Sequence, residues 1–547
     1  MFTMYALRSG VVLLGASLAI GITVGTAAQN RTPVTLTAID GSMSISGSLI
    51  SVGDGSYLVK TAVGELRLPA DQVTCEGIGC PGIAVVTPKF GVHGSRTVGT
   101  DLMPNLLRGY ARKKGANFEL VRTDNPDERT VLLTYRDGTI LAEIDLRTYG
   151  SGSAFMALAD GVAEIGMADR QMKDDEAPVL AAAGIPDLRK TGNETVIGLD
   201  GLVVMVHPDN PVRYLTTEQL ARIYSGESTN WAEFGGPDVP IVLNTFGPNF
   251  DDRALFVDHI LTPHGRIEAA DAIRHATYNE ATDSARNDLG GIAYASQVYS
   301  EGTNVLSIRE DCGLLTTPTD FRMKTESYGL SRRLYLYTKP GSIHPVAQEF
   351  LDWTLTDEAQ PYIVETGFID RAHELMQLED MGAQMVHTMV SEPEYDPYLL
   401  RKMLRELRNA ERLSMEFQFA LGSATLDAQA RRELEELAKQ IEAGQFPVQG
   451  KEMILVGFAD SIGAFSKNRS LARRRAAAVR TFLASRLQAT TLERVGLATQ
   501  GYGELMPQLC NETAEGRYAN RRVEVWLRLK DTGHGVAVTQ RRRQNNG

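Results

Sequence analysis

A chain of 547 residues is longer than one hydrophobic core can serve, which sets the expectation at three or four domains. A formal net charge of −12 argues against nucleic acid as a main partner, since a phosphate backbone needs a basic surface; a small anion in a locally positive pocket stays open. With 43% hydrophobic and 23% charged residues, the composition is that of a soluble globular protein without bias toward disorder.

Residues 1–28 read as a secretory signal peptide. Arg8 supplies the basic start, residues 11–22 the apolar stretch, and Thr26-Ala27-Ala28 a small-residue cleavage site before Gln29. The apolar stretch falls short of the ~20 residues that a membrane span needs, so cleavage is favoured over a retained anchor.

Residues 30–87 form a small β module. Short alternating runs (34–38, 44–50 and 57–61) are separated by turn signals at Asp40-Gly41 and Gly53-Asp54-Gly55. Cys75 and Cys80 flank a Gly-rich loop that a disulfide could close, export permitting such bonds. A metal site is the rival, and a poor one, because no His lies near the two thiols. Cys312 and Cys510 fall in different domains and are expected to be free.

From 88 to 385 strand-like and helix-like runs alternate, which predicts a largely parallel α/β architecture. Residues 195–199 and 201–206 are strand-like. Three loops here share one device: small residues ahead of a helix, whose free N–H groups and positive dipole end can meet an anion. They are Gly94-Ser95-Arg96-Thr97, Gly150-Ser151-Gly152-Ser153 and Ala168-Asp169-Arg170. Singly, each is an ordinary helix cap.

In this order, the three loops resemble those of the phosphate-type periplasmic substrate-binding proteins of ABC importers. The resemblance continues through Asp200-Gly201-Leu202, Asn210-Pro211-Val212, 215–220, Ile223-Tyr224-Ser225-Gly226, Thr229-Asn230-Trp231, 290–294, 333–337 and Gly367-Phe368-Ile369. It implies two α/β lobes that close on an anion at their hinge. It also implies an anion site made of Ser95, Arg96, Thr97, Ser151, Gly152, Ser153, Asp169, Arg170 and Arg253. Hydroxyls and amides would donate to phosphate oxygens, and a guanidinium would add a charge-assisted fork. Asp169, an acceptor only when ionised, would suit a ligand that still bears a proton, as hydrogen phosphate does and sulfate does not; its other reading is a salt bridge with Arg170 or a loop cap. One departure stands out. Where the family has a Ser-Gly-Thr-Arg loop, this chain reads Asn249-Phe250-Asp251-Asp252-Arg253. Two acids replace neutral donors, and if they point inward they oppose a dianion.

Residues 386–413 are read as a linker, with a helix over 398–413 whose apolar face carries Leu399, Leu400, Met403, Leu404, Leu407 and Ala410. Residues 414–530 read βαβαββ. They hold Gly457-Phe458-Ala459-Asp460, Asn468, Leu471, Arg475-Ala476, Val479, Gly501-Tyr502-Gly503-Glu504 and 516–524. This ordered set resembles the OmpA-like peptidoglycan-binding domain. The resemblance implies that Asp460 and Arg475 grip the ammonium and carboxylate of diaminopimelate in stem peptides, with Asn468 and Arg522 in support. Helical spacing turns Arg473 and Arg474 away from that side. The basic tail, residues 531–547, is expected to be disordered.

The chain is therefore expected to combine α/β and α+β domains: a small N-terminal β module, a two-lobed binding domain over 88–385 and an OmpA-like domain over 414–530. No HExxH, CxxC, G-x-S-x-G or P-loop motif occurs, so no enzyme, cofactor or metal is expected. The expected partners are inorganic phosphate or a similar anion, peptidoglycan, and the membrane component of an ABC importer. The expected location is the periplasm of a Gram-negative envelope. The alternative is an envelope scaffold whose binding domain has lost its small ligand and holds a protein instead.

Overall fold

The computed structural model describes residues 33–39, 43–53, 55–77, 80, 87–248, 250–341, 343–391 and 395–530. The signal-peptide segment, the Asp40-Gly41 turn, Asp54, Asn249 and the basic tail lie outside the described residues. The chain divides into two compact units, 1–87 and 88–547.

The first unit is an antiparallel five-stranded sheet in the order Gly64–Pro69, Ser56–Thr61, Ser44–Gly53, Pro33–Ala38, Val73–Glu76. Alternation along the strands puts Val34, Leu36, Tyr57, Val59 and Val73 on one buried face. Cys75 and Cys80 are disulfide-bonded at the end of the last strand, with their Cα atoms 5.9 Å apart.

The second unit is built around an eleven-stranded sheet that runs through two lobes. Two strands, Glu194–Val206 and Ser331–Thr338, pair antiparallel and pass between the two cores. The runs 195–199 and 201–206 are thus halves of one strand, bulged between Val196 and Gly198. The largely parallel sheet expected from the sequence is instead mixed. Among the described residues of this sheet, parallel pairing is confined to strands Lys89–Gly94, Ile140–Arg147 and Ile165–Ala168 in the first lobe, and to Val242–Phe246, Ile273–His275 and Gly291–Ser296 in the second. An antiparallel meander over Asn117–Arg122, Glu128–Thr134 and Ile140–Arg147 and the two crossing strands supply the rest. Alternation of strands and helices along the chain does not reveal these reversals, because a hairpin and a crossover leave the same apolar runs.

The C-terminal module is a five-stranded sheet in the order Leu375–Gln377, Ala410–Gln418, Arg522–Leu529, Lys451–Gly457, Leu497–Gly501. Helices Ala428–Glu442 and Phe465–Ala484 cover one face, burying Leu434, Leu437, Ile441, Val479 and Leu483. The helix predicted over 398–413 is shorter. It spans Pro397–Leu407, and Ala410 to Leu413 already belong to a strand that pairs with Arg522–Leu529. Asp396 caps it by accepting from the Tyr398 and Leu399 amides. Leu399, Leu400, Met403 and Leu407 are buried against the other face of the sheet, beside Trp526. The C-terminal module therefore draws its first edge strand from residues well before 414.

Cys312 and Cys510 are not free thiols. They are disulfide-bonded, with Cα atoms 5.7 Å apart, tying the second lobe to the C-terminal module. Sequence position separated them by domain, and only the packing of one module on the other brings them together. Non-covalent contacts also join the two modules. The Arg412 guanidinium lies 5.2 Å from the Phe321 ring, Lys324 pairs with Glu374 at 2.8 Å, and Arg333 with Glu433 at 3.6 Å.

Candidate functional site

The first lobe presents three loops at the carboxyl ends of adjacent parallel strands, where α/β sheets place their ligands. Ser95 follows Lys89–Gly94, Ser151 follows Ile140–Arg147, and Asp169 follows Ile165–Ala168. Gly94 is required at the first bend: its φ is +144°, and a Cβ there would lie 1.9 Å from the Met167 carbonyl. The first two loops run directly into helical turns, as expected. The third does not, since the next helix, Ala177–Ala182, starts several residues later.

Asp169 is the node of the cleft. Its Oδ1 accepts from Ser151 Oγ at 2.6 Å, and its Oδ2 accepts from Thr97 Oγ1 at 2.8 Å and Arg332 Nη1 at 2.9 Å. The expected alternative partner, Arg170, is engaged elsewhere, donating to both oxygens of Glu176 at 2.9 and 2.6 Å. Ser95, Thr97 and Ser151 are fully buried around this node, and the Ser153 hydroxyl is turned back to the Gly150 carbonyl. Gly152, in the first turn of the helix Ser151–Asp160, lies beside Glu176 and Arg170, where a Cβ would make only ordinary contact at 3.5 and 3.7 Å.

Arg332 is the residue that sequence reasoning missed. It faces Asp200 in the register of the two crossing strands and donates Nε and Nη2 to Asp200 Oδ2 at 2.9 and 2.7 Å. Its Nη1 also ion-pairs with Asp252. One buried guanidinium thus serves three carboxylates, Asp169, Asp200 and Asp252. The only sequence signal was its position beside the Arg333-Leu334-Tyr335 run.

Asp251 and Asp252 both point inward. They begin the helix Asp251–Phe256 of the second lobe, and Asp251 Oδ2 accepts the Ser151 backbone N–H of the first lobe at 2.8 Å. Burial, with the Asp169 charge nearby, pushes the Asp251 carboxyl up to about 7; burial likewise raises Asp252 to about 6, against the pull of Arg332. The lobes also touch through Thr97 Oγ1 and the Tyr278 hydroxyl, 3.3 Å apart, and through the Tyr299 hydroxyl, which donates to Asp101 at 2.9 Å.

The remaining cationic candidates are also paired. Arg96 forks onto Asp127 and lies over the Phe250 ring, and Arg253 pairs with Glu268 at 3.0 Å. Neither presents an unpaired guanidinium to the cleft, because each carries its own carboxylate.

In the C-terminal module, Asp460 follows strand Lys451–Gly457. Gly457 lets the helix Phe465–Ala484 lie against the strand, as a Cβ there would meet the Ala472 carbonyl at 2.0 Å. The partner of Asp460 is Arg521, whose Nη1 donates to Oδ2 at 2.8 Å. Arg475 is fully buried beside it, donating to the carbonyls of Ser423, Phe458 and Ala420 at 2.9, 3.1 and 3.3 Å. Burial lowers its pKa to about 10, partly offset by Asp460. In this structure the Arg475 donors hold those loop carbonyls, and the guanidinium paired with Asp460 is that of Arg521. Asn468 Nδ2 donates to the Asp460 and Ile462 carbonyls and to Glu504 at 3.1, 3.0 and 2.7 Å. Arg473 and Arg474 are exposed, away from this cluster.

Arg522 is not part of this site. Neighbouring residues of an extended chain face opposite ways, so Arg521 reaches Asp460 while Arg522 enters the core on the other side. There it donates to Glu524 at 2.9 and 2.7 Å and to the Met506 carbonyl at 2.8 Å.

Residues 130–358 match the PBP superfamily domain, and residues 418–521 match the OmpA family. The phosphate-binding protein PstS of Staphylococcus epidermidis (strain RP62A) is 29% identical over 262 residues, covering 46% of this chain and 77% of that protein. PstS of Bacillus subtilis (strain 168) is 26% identical over 229 residues, covering 42% and 71%. A crystal structure of the peptidoglycan-associated lipoprotein from Burkholderia pseudomallei covers 21% of this chain and 89% of that one, at 18% identity and a TM-score of 0.18.

Proposed function

Because the chain carries a PBP superfamily domain followed by an OmpA family domain, we propose that it is a periplasmic phosphate-type anion receptor held on the cell wall. The observation that carries the reading is the meeting of the Thr97 and Ser151 hydroxyls on Asp169 beside the start of the helix Ser151–Asp160; the relatives named as phosphate-binding proteins support it. Hydroxyls, a helix N-terminus and the Arg332 charge together suit an oxyanion. Asp169 suits one that keeps a proton.

At the other end, Asp460 receives the ammonium of diaminopimelate. Arg521 supplies the guanidinium for its carboxylate, while buried Arg475 fixes the loop and adds positive potential. Residues 1–28 direct export, and the receptor passes its anion to an importer in the inner membrane. The chain binds and carries; it does not catalyse.

Calorimetry with inorganic phosphate tests the first half. Micromolar or tighter binding that weakens at least tenfold in Thr97→Val supports the receptor. A flat titration favours the scaffold reading, which has its own support in the pairing of every cleft guanidinium with a carboxylate. Co-sedimentation with purified sacculi tests the second half: retention in the supernatant, or no loss of pelleting in Asp460→Ala, ends the anchoring idea.

A further inference from the structure

The helix Ser151–Asp160 begins with N–H groups that have no partner within the helix, and the first of them opens onto the cleft. In an anion receptor this is the seat for an oxyanion, ringed here by the Ser151 and Thr97 hydroxyls. The seat is taken. Asp251 of the opposite lobe lays one carboxylate oxygen on the Ser151 N–H at 2.8 Å, and its other oxygen lies 4.0 Å from Arg170 Nε. Its neighbour Asp252 is fully buried on Arg332, and the Asp252 oxygens meet no other donor among the described residues. The cleft is closed on these two side chains.

A carboxylate offers two oxygens sharing one negative charge, which is the pattern that one edge of a phosphate offers. Both cannot occupy the same amide, and a dianion placed beside Asp251, Asp252 and Asp169 would meet like charge from three sides. We propose that Asp251 is a built-in competitor that occupies the anion seat from the opposite lobe and holds the cleft closed until a solute anion displaces it. The proposal rests on the anion-receptor reading of this cleft and adds to it a residue that sets the affinity. The relation is quantitative: a seat that is open a hundredth of the time binds a hundredfold more weakly than its contacts alone would give. Such a receptor fills only where its anion is plentiful.

Two measurements on the full-length chain test this. In hydrogen exchange without added anion, the Ser151 amide is expected to exchange at least tenfold faster in Asp251→Ala than in the wild type; an unchanged rate overturns the proposal. In calorimetry with inorganic phosphate, Asp251→Ala is expected to bind at least tenfold more tightly, with Asp251→Asn (same shape, no charge) between it and the wild type. Equal or weaker binding by Asp251→Ala, with the wild type binding, overturns the competitor and leaves the receptor reading intact. If no form binds phosphate, the phosphate reading falls, and the exchange rate alone decides whether Asp251 holds the cleft. Unfolding curves for each variant guard against misfolding, and Asp251→Ser gives a second uncharged replacement at this helix start.

Discussion

Cys312 and Cys510 close a disulfide across 198 residues of sequence, joining the turn after strand Ser307–Arg309 in the second lobe to the loop before the helix Ala514–Asn520. A crosslink over so long a stretch removes much of the freedom of the unfolded chain. Replacing both residues by Ala is expected to cost about 2–4 kcal/mol. Denaturant unfolding of the wild type and the double Ala variant measures it, since a reductant would also open Cys75–Cys80. The same loss should make residues 371–391 more open to limited proteolysis, and identical unfolding curves with and without the bond would rule it out as a stabiliser.

Arg332 is the shared ion-pair partner of three carboxylates in a buried site. Arg332→Met strips the countercharge from all of them and is expected to destabilise the binding domain by about 3–5 kcal/mol. Arg332→Lys should recover only part, since one ammonium cannot reproduce a planar fork that spans Asp200 and Asp169. Urea unfolding of the three proteins gives the order wild type, Lys, Met.

The cleft also predicts a pH dependence. Asp251 titrates at about 7 and Asp252 at about 6, above the ordinary carboxyl value, chiefly through burial. The folded state then holds protons that the unfolded chain has released, so the contribution is full below about 4 and is lost as pH rises through the folded values. Facing Asp251 are Asp169 and Arg170; facing Asp252 are Arg332, Asp169 and Asp200. The Tm of the wild type relative to Asp251→Asn is therefore expected to rise from about pH 7.5 to about pH 5, each pKa unit being worth ~1.4 kcal/mol. A difference independent of pH would contradict it.

Arg521 and Arg522 are neighbours with opposite duties, which mutation should separate. Arg522→Ala leaves buried Glu524 with the Arg412 guanidinium alone, 3.3 Å away, and is expected to cost about 3–5 kcal/mol. Arg521→Ala releases Asp460 at the edge of its site, costs about 1–3 kcal/mol, and is expected to lower binding to sacculi at least tenfold. Thermal unfolding and co-sedimentation, run on both variants, distinguish stability from ligand binding.

The grouping of the C-terminal candidates was legible in outline because its parts are local. Gly457, Asp460, Asn468 and Arg475 lie on one strand, one loop and one helix, and their spacing places them side by side whatever the rest of the chain does. What each guanidinium does was not legible. Arg475 and Arg521 divide the work according to which carbonyls and which carboxylate come within reach, and those belong to segments around 420 and 460.

For this protein, the sequence by itself determined the modules, their order and the small-residue loops ahead of the first two cleft helices, because these follow from local periodicity and short motifs. Only the tertiary structure decided that Arg332 meets Asp169 and Asp200, that Asp251 reaches Ser151, and that Cys312 finds Cys510. Those pairs are 163, 132, 100 and 198 residues apart. Charge and thiol chemistry say what such groups can do when they meet. Whether they meet is set by how strands cross between lobes and how one module packs on another, and no stretch of neighbouring residues encodes that alone.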